Sequence, residues 1–225
     1  NKSVEDICAD YISEKLNENE THNLNIKIFN EIIKYWFNLL DEKNRLELIN
    51  KTINNMHLAA NKNDPRAQCN LGMIYYRGQY IKQDINKSFH YFTLAADQNY
   101  PEAQLRLGVI YEVSKYVKRD IDKSIYYYSL AANQNHPYAQ INLGFLYFEG
   151  KYIELDINKA IHYFTLAADQ NYSEAQNNLA VIYLEGKYIK QDINKAIYYF
   201  TLAADQNYLE AQYNLGFIYY EGKYV

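Results

Sequence analysis

The chain has two cysteines in 225 residues, no apolar run long enough to cross a bilayer, and no excess of positive charge. Cys8 and Cys69 lie far apart, without the local spacing of a disulfide framework or a zinc site. They are expected to be free thiols in a reducing compartment, which favours the cytoplasm over a secretory lumen. No stretch reaches the roughly 18 apolar residues of a membrane helix, and no signal peptide is visible. A net charge of −4 argues against nucleic acid or an anionic membrane as the main ligand. There is no P-loop, no glycine-rich nucleotide fingerprint and no candidate triad. His22, His57, His90, His136 and His162 have no second ligand at metal spacing, so neither metal nor cofactor is expected. Sequons at Asn1, Asn19, Asn50, Asn86 and Asn171 reflect an Asn-rich chain; two of them belong to a recurring Ile-Asn-Lys.

What the chain has in quantity is repetition. Ala59-Ala60 returns at Ala95-Ala96, Ala131-Ala132, Ala167-Ala168 and Ala203-Ala204, always 36 residues on and without insertion. A period of this size implies a solenoid whose units bury their apolar faces against their neighbours. In the copy from His136 to Asn171, Ala139, Leu143, Leu146 and Tyr147 stack on one helical face. Gly150 ends that helix, and Asp156 is placed to cap a second, as are Asp84, Asp120 and Asp192. The second helix repeats apolar residues at Ile157, Ala160, Ile161, Phe164, Ala167 and Ala168, and stops at Asn171. Asparagine recurs there at 63, 99, 135 and 207, and it tolerates a left-handed cap. Gly72, Gly108, Gly144 and Gly216, with Ala180 in the fourth copy, leave room for a close helix. Tyr75, Tyr111, Tyr147, Tyr183 and Tyr219 fill one stacking position, and Tyr91, Tyr127, Tyr163 and Tyr199 another.

Ala139, Leu143, Gly144, Tyr147, Gly150, Asp156, Lys159, Ala160, Tyr163, Ala167 and Ala168 form a pattern that resembles the Sel-one-like repeat (SLR), a relative of the tetratricopeptide repeat. The resemblance spans residues 64–225, in copies 64–99, 100–135, 136–171, 172–207 and 208–225. It implies an all-α, right-handed α-solenoid whose members serve as adaptors in signalling or protein quality control. Two departures stand out: the family's glycine after the second helix is Asn throughout, and the second copy's turn glycine is Ser114. Some members of that family have been described as cysteine-rich hydrolases; this chain is not cysteine-rich, and it is read as no enzyme.

Stepping one period back from Ile85 places Ile49 to Asn63 as the second helix of a degenerate repeat, 31–63. Its first helix is predicted at about Glu31–Leu40, where Tyr35 and Trp36 replace Leu-Gly and suit a terminal cap. Residues 1–30 carry a helical stripe from Val4 to Leu16 behind Ser3 and Asp6, then a polar loop. They read as an outer cap helix or the tail of an upstream domain. The chain begins at Asn1 and ends at Val225 within a repeat, which leaves room for flanking sequence.

Positions that vary among the copies point to a binding surface. On the first helix these are Cys69, Leu105, Ile141, Asn177 and Tyr213; then Met73, Val109, Phe145, Val181 and Phe217; then Tyr76, Glu112, Phe148, Leu184 and Tyr220. Spacings of four and three place them on one stripe, opposite the inward face. In tetratricopeptide-like arrays this stripe lines the concave groove, and the resemblance implies the same here. Aromatics in such a groove are expected to anchor a protein or peptide segment. Arg66, Arg77 and Arg106 at one end, and Glu149, Glu174, Glu185, Glu210 and Glu221 at the other, would orient that segment by charge. Arg66, Asn70 and Arg106 are also candidates for holding a terminal carboxylate. Asn70, Asn142, Asn178 and Asn214 adjoin the stripe and either bond a peptide backbone or are satisfied by neighbouring turns. Gln68, Gln104, Gln140, Gln176 and Gln212 never vary and read as a structural ladder. Two further readings stay open: a regulatory or substrate-holding module of a larger kinase or ubiquitin ligase, and an array that associates end to end.

Overall fold

The computed structural model describes residues 40–113 and 115–221, the side chain of Glu221 excepted. The expected helix within 1–30, the capping helix with Tyr35 and Trp36, Cys8, and Ser114 lie outside them. Among the described residues every regular element is an α-helix. They are α1 (Glu42–Asn61), α2 (Pro65–Arg77), α3 (Ile85–Asp97), α4 (Pro101–Val113), α5 (Ile121–Ala132), α6 (Pro137–Glu149), α7 (Ile157–Ala168), α8 (Ser173–Glu185), α9 (Ile193–Asp205) and α10 (Leu209–Glu221). The even-numbered helices are the first helices of the copies, and they start one 36-residue period apart. The fold class is the right-handed α-solenoid of helix–turn–helix repeats.

Local chemistry sets each boundary. Asp84, Asp120, Asp156 and Asp192 have extended backbones, and their carboxylates accept from the N–H of Lys87, Lys123, Lys159 and Lys195. Each satisfies one of the orphan donors of a helix start. The second helices end on Asn63, Asn99, Asn135, Asn171 and Asn207, all at φ between 60° and 69°. There the Asn99 N–H donates to Ala96 and the Tyr100 N–H to Ala95, so the last carbonyls are paired. Asparagine therefore does what the family's glycine does. At the turn between helices, Gly150 has φ 61°, and a Cβ there would meet the Leu155 Cβ at 2.7 Å, so the site requires glycine on both counts.

One boundary differs from expectation. α1 starts at Glu42, not near Ile49, with Asp41 as its cap accepting from the Asn44 N–H. The position equivalent to Asp84 is Leu48, which has no oxygen to cap with, so the helix continues back to the first aspartate available.

The packing divides the chain into one unit ending at Ala103 and another starting at Gln104. In the first, Phe92 lies against Gly72, while Ile53, Met56, Ala60, Ala67 and Leu71 form a buried cluster. In the second, Tyr128 lies against Gly108 and Phe164 against Gly144; Phe200 is fully buried in the cluster that holds Ala180. The buried glutamines Gln68, Gln140 and Gln176 are each a double tie. The Gln140 amide donates to the Ala132 carbonyl at 3.3 Å, and its own oxygen accepts from Gln170 at 2.8 Å. The same exchange joins Gln98 to Gln68, Gln134 to Gln104 and Gln206 to Gln176. Four buried side-chain amides, at Gln68, Gln104, Gln140 and Gln176, are thus hydrogen-bonded as burial demands, and the glutamine file is structural.

Candidate interaction face

The first helices present the varied positions in three registers of very different exposure. Cys69 in the first unit, and Leu105, Ile141 and Asn177 in the second, are each at most 5% exposed. This corrects the expectation that they line an open groove. Ile141 packs in one cluster with Phe164 of its own second helix and with Leu179 and Ile182 of the next first helix. This register therefore fills the seam between repeats. Tyr213 is the exception at 72% exposed.

The other two registers reach solvent. Met73 and Tyr76 in the first unit, and Val109, Glu112, Phe145, Phe148, Val181 and Leu184 in the second, are half-buried; Phe217 and Tyr220 are exposed. Phe145 sets its edge against Phe164, and Phe148 meets Tyr188 edge-on at 6.5 Å, so each ring is anchored on one side and open on the other. Asn70, Arg106, Asn142, Asn178 and Asn214 are half-buried beside them, while Arg66, Arg77, Glu149, Glu185 and Glu210 are exposed and Glu174 half-buried. The side chain of Glu221 lies outside the described residues.

Two polar constellations emerge from the three-dimensional structure alone. In the first unit, His57 of α1 meets the Tyr75 hydroxyl at 3.4 Å through Nε2 and the Tyr91 hydroxyl at 3.2 Å through Nδ1. Tyr75 and Tyr91 stack with their planes 7° apart, and the Lys87 ammonium sits over Tyr75. Burial, then the Lys87 charge, lowers the His57 pKa. The same stack recurs in the second unit as Tyr111–Tyr127, Tyr147–Tyr163 and Tyr183–Tyr199, with Lys123, Lys159 and Lys195 over the first ring. The tyrosine files are therefore packing. Only His57 is singular, since Thr93, Ser129, Thr165 and Thr201 hold its place elsewhere.

In the second unit, the Tyr128 hydroxyl donates to Glu112 Oε2 at 2.7 Å. Tyr128 is 1% exposed, and it replaces the phenylalanine of positions 92, 164 and 200. Burial first, then the Glu112 charge, pushes its proton well above the ordinary phenol range, so the hydroxyl remains a donor. A glutamate among apolar groove positions and a tyrosine among core phenylalanines were the available signals. Sixteen residues and one turn separate them, and reading each on its own helix kept them apart.

Among the described residues no helix is long and apolar enough to cross a membrane, and no group of three or more His, Cys, Asp or Glu is placed to hold a metal ion. The Sel1 repeat family matches residues 65–100, 101–136, 137–172, 173–208 and 209–225. A solved Sel1 repeat protein from Oxalobacter formigenes is 32% identical, with a TM-score of 0.70 over 81% of this chain and 72% of that one. The protective antigen c5321 of uropathogenic Escherichia coli, which displays an SLR fold, is 29% identical with a TM-score of 0.73. That match covers 76% of this chain, which spans only 36% of c5321. A Sel1 repeat protein from Klebsiella pneumoniae, 18% identical with a TM-score of 0.51 over 75% of this chain and 84% of that one, shares the fold. No curated protein sequence matches.

Proposed function

The chain belongs to the Sel1 repeat family, whose members generally mediate protein–protein interaction, and from that premise we propose that it is a non-enzymatic adaptor. In this reading it holds an extended or helical segment of a partner along the faces of its first helices. The observation that carries it is the half-buried register of Phe145, Phe148, Val181 and Leu184 in the second unit. These apolar side chains are fixed from below and open above, with the amides of Asn142 and Asn178 alongside. Anchored rings beside polar groups match the anatomy of protein interfaces, where a few buried aromatics supply most of the affinity. Cys69, Leu105, Ile141 and Asn177 support the face from beneath and do not touch the partner.

A random-peptide selection on the full chain tests the reading. Selected peptides should lose roughly tenfold or more in affinity, above about 1.4 kcal/mol, for Phe148→Glu/Leu184→Glu, once a thermal melt shows that variant folded. Undiminished binding would move the site elsewhere. End-to-end association through α10 is a second reading, favoured by Gly216, which meets nothing where Gly72, Gly108 and Gly144 each meet an aromatic ring.

A further inference from the structure

Of the groove positions four residues after Gly72, Gly108, Gly144, Ala180 and Gly216, only one is charged. Tyr76, Phe148, Leu184 and Tyr220 are apolar or aromatic, and Glu112 stands among them. We propose that Glu112, held by Tyr128, is the specificity-determining acceptor for a lysine or arginine of the bound segment; this rests on the reading of the first-helix face given above.

Three features of the site carry the assignment. First, the carboxylate is fixed. A charge-assisted O–H···O bond of 2.7 Å from a buried ring locks Oε2, so the group does not swing as a surface glutamate does. Second, it lacks a countercharge of its own. Arg119 does reach this residue, but its Nε donates to the Glu112 backbone carbonyl and its guanidinium lies over the Tyr152 ring, 4.7 Å from the centroid. Among the described residues Glu112 makes no ion pair, so Oε1 remains for an outside donor. Third, the site lies on the interaction register. Glu112 is half-buried there, and the Asn142 side chain of the next first helix reaches the same Tyr128 hydroxyl. A half-buried carboxylate without a cation is an unfavourable arrangement that a bound ammonium or guanidinium relieves. Tyr128 supplies the donor that this acid uses, and no other copy carries either residue at its place.

The test is a random-peptide selection on the full wild-type chain, followed by direct binding of the selected peptides and of their norleucine-substituted forms. The selected peptides should share one lysine or arginine position. Replacing that residue by norleucine should weaken binding to the wild type by about tenfold, and Glu112→Gln should accept both forms equally. Tyr128→Phe, which keeps the ring, should lose about threefold for the cationic peptide alone. Selected peptides with no common cation, or a norleucine form that binds the wild type equally well, would overturn the assignment and leave the groove reading standing. Failure to select any peptide would overturn both. The norleucine comparison uses only the wild type, so it holds even if a variant fails to fold.

Discussion

At the scale of single residues, the clearest contrast lies among glycines in equivalent places. A Cβ on Gly108 would sit 2.4 Å from the Tyr128 ring, on Gly144 2.6 Å from Phe164, and on Gly216 in open space. The fourth copy already carries Ala180 beside Phe200, so an unrestrained ring can yield to a methyl group. Tyr128 is less able to, because its hydroxyl is tied to Glu112. Overpacking costs about 1–3 kcal/mol, and alanine returns about 0.5–1 kcal/mol of helix propensity. Gly108→Ala should therefore lose about 1–2 kcal/mol and Gly144→Ala less, while Gly216→Ala should gain about 0.5–1 kcal/mol. Urea denaturation of the three variants measures this directly. Equal losses at all three would mean that ring contact does not set the cost.

Between elements, His57 bridges α1 to both α2 and α3, which makes their docking sensitive to pH. The groups facing it are the Tyr75 and Tyr91 hydroxyls and Lys87, with Lys82 and Asp84 on the rim of the same depression. The folded imidazole binds its proton less readily than the unfolded one, whose pKa is 6.5. Below 6.5 the unfolded chain therefore takes up more protons, and the stability present above that value is lost as pH falls toward the lower folded pKa. His57→Thr, the residue at this place in three other copies, should flatten that acid limb in urea midpoints between about pH 7.5 and 5; parallel curves would exclude His57 as its source. Nothing in one helix announces this cluster. The helices, their Asp and Asn caps and the glutamine ladder were legible in the sequence because each depends on local geometry repeated several times. The seam was not: periodicity places Ile141 and Phe145 on one stripe, but only the angle of the next helix decides that the first is buried and the second half-open. Tyr128 was missed for a related reason, since a tyrosine among 26 is conspicuous only once Glu112 is seen opposite.

For the whole molecule, an interior repeat of a solenoid is stabilised by neighbours on both sides, and α10 is the last helix among the described residues. α10 leaves Tyr213 72%, Phe217 51% and Tyr220 88% exposed, and Gly216 forms a notch sized in other copies for an aromatic ring. A second helix of the repeat type, with phenylalanine where Phe92, Phe164 and Phe200 stand, is the shape that fits it. Fully burying three such side chains is worth roughly 5–9 kcal/mol, against about 4–15 kcal/mol of lost freedom on association. The two nearly cancel, so pairing of copies through this face should be weak. Sedimentation velocity should show a weight-average coefficient that rises only at high concentration, and Tyr213→Glu/Phe217→Glu should abolish the rise. A coefficient constant over the whole range would mean that α10 does not bring copies together.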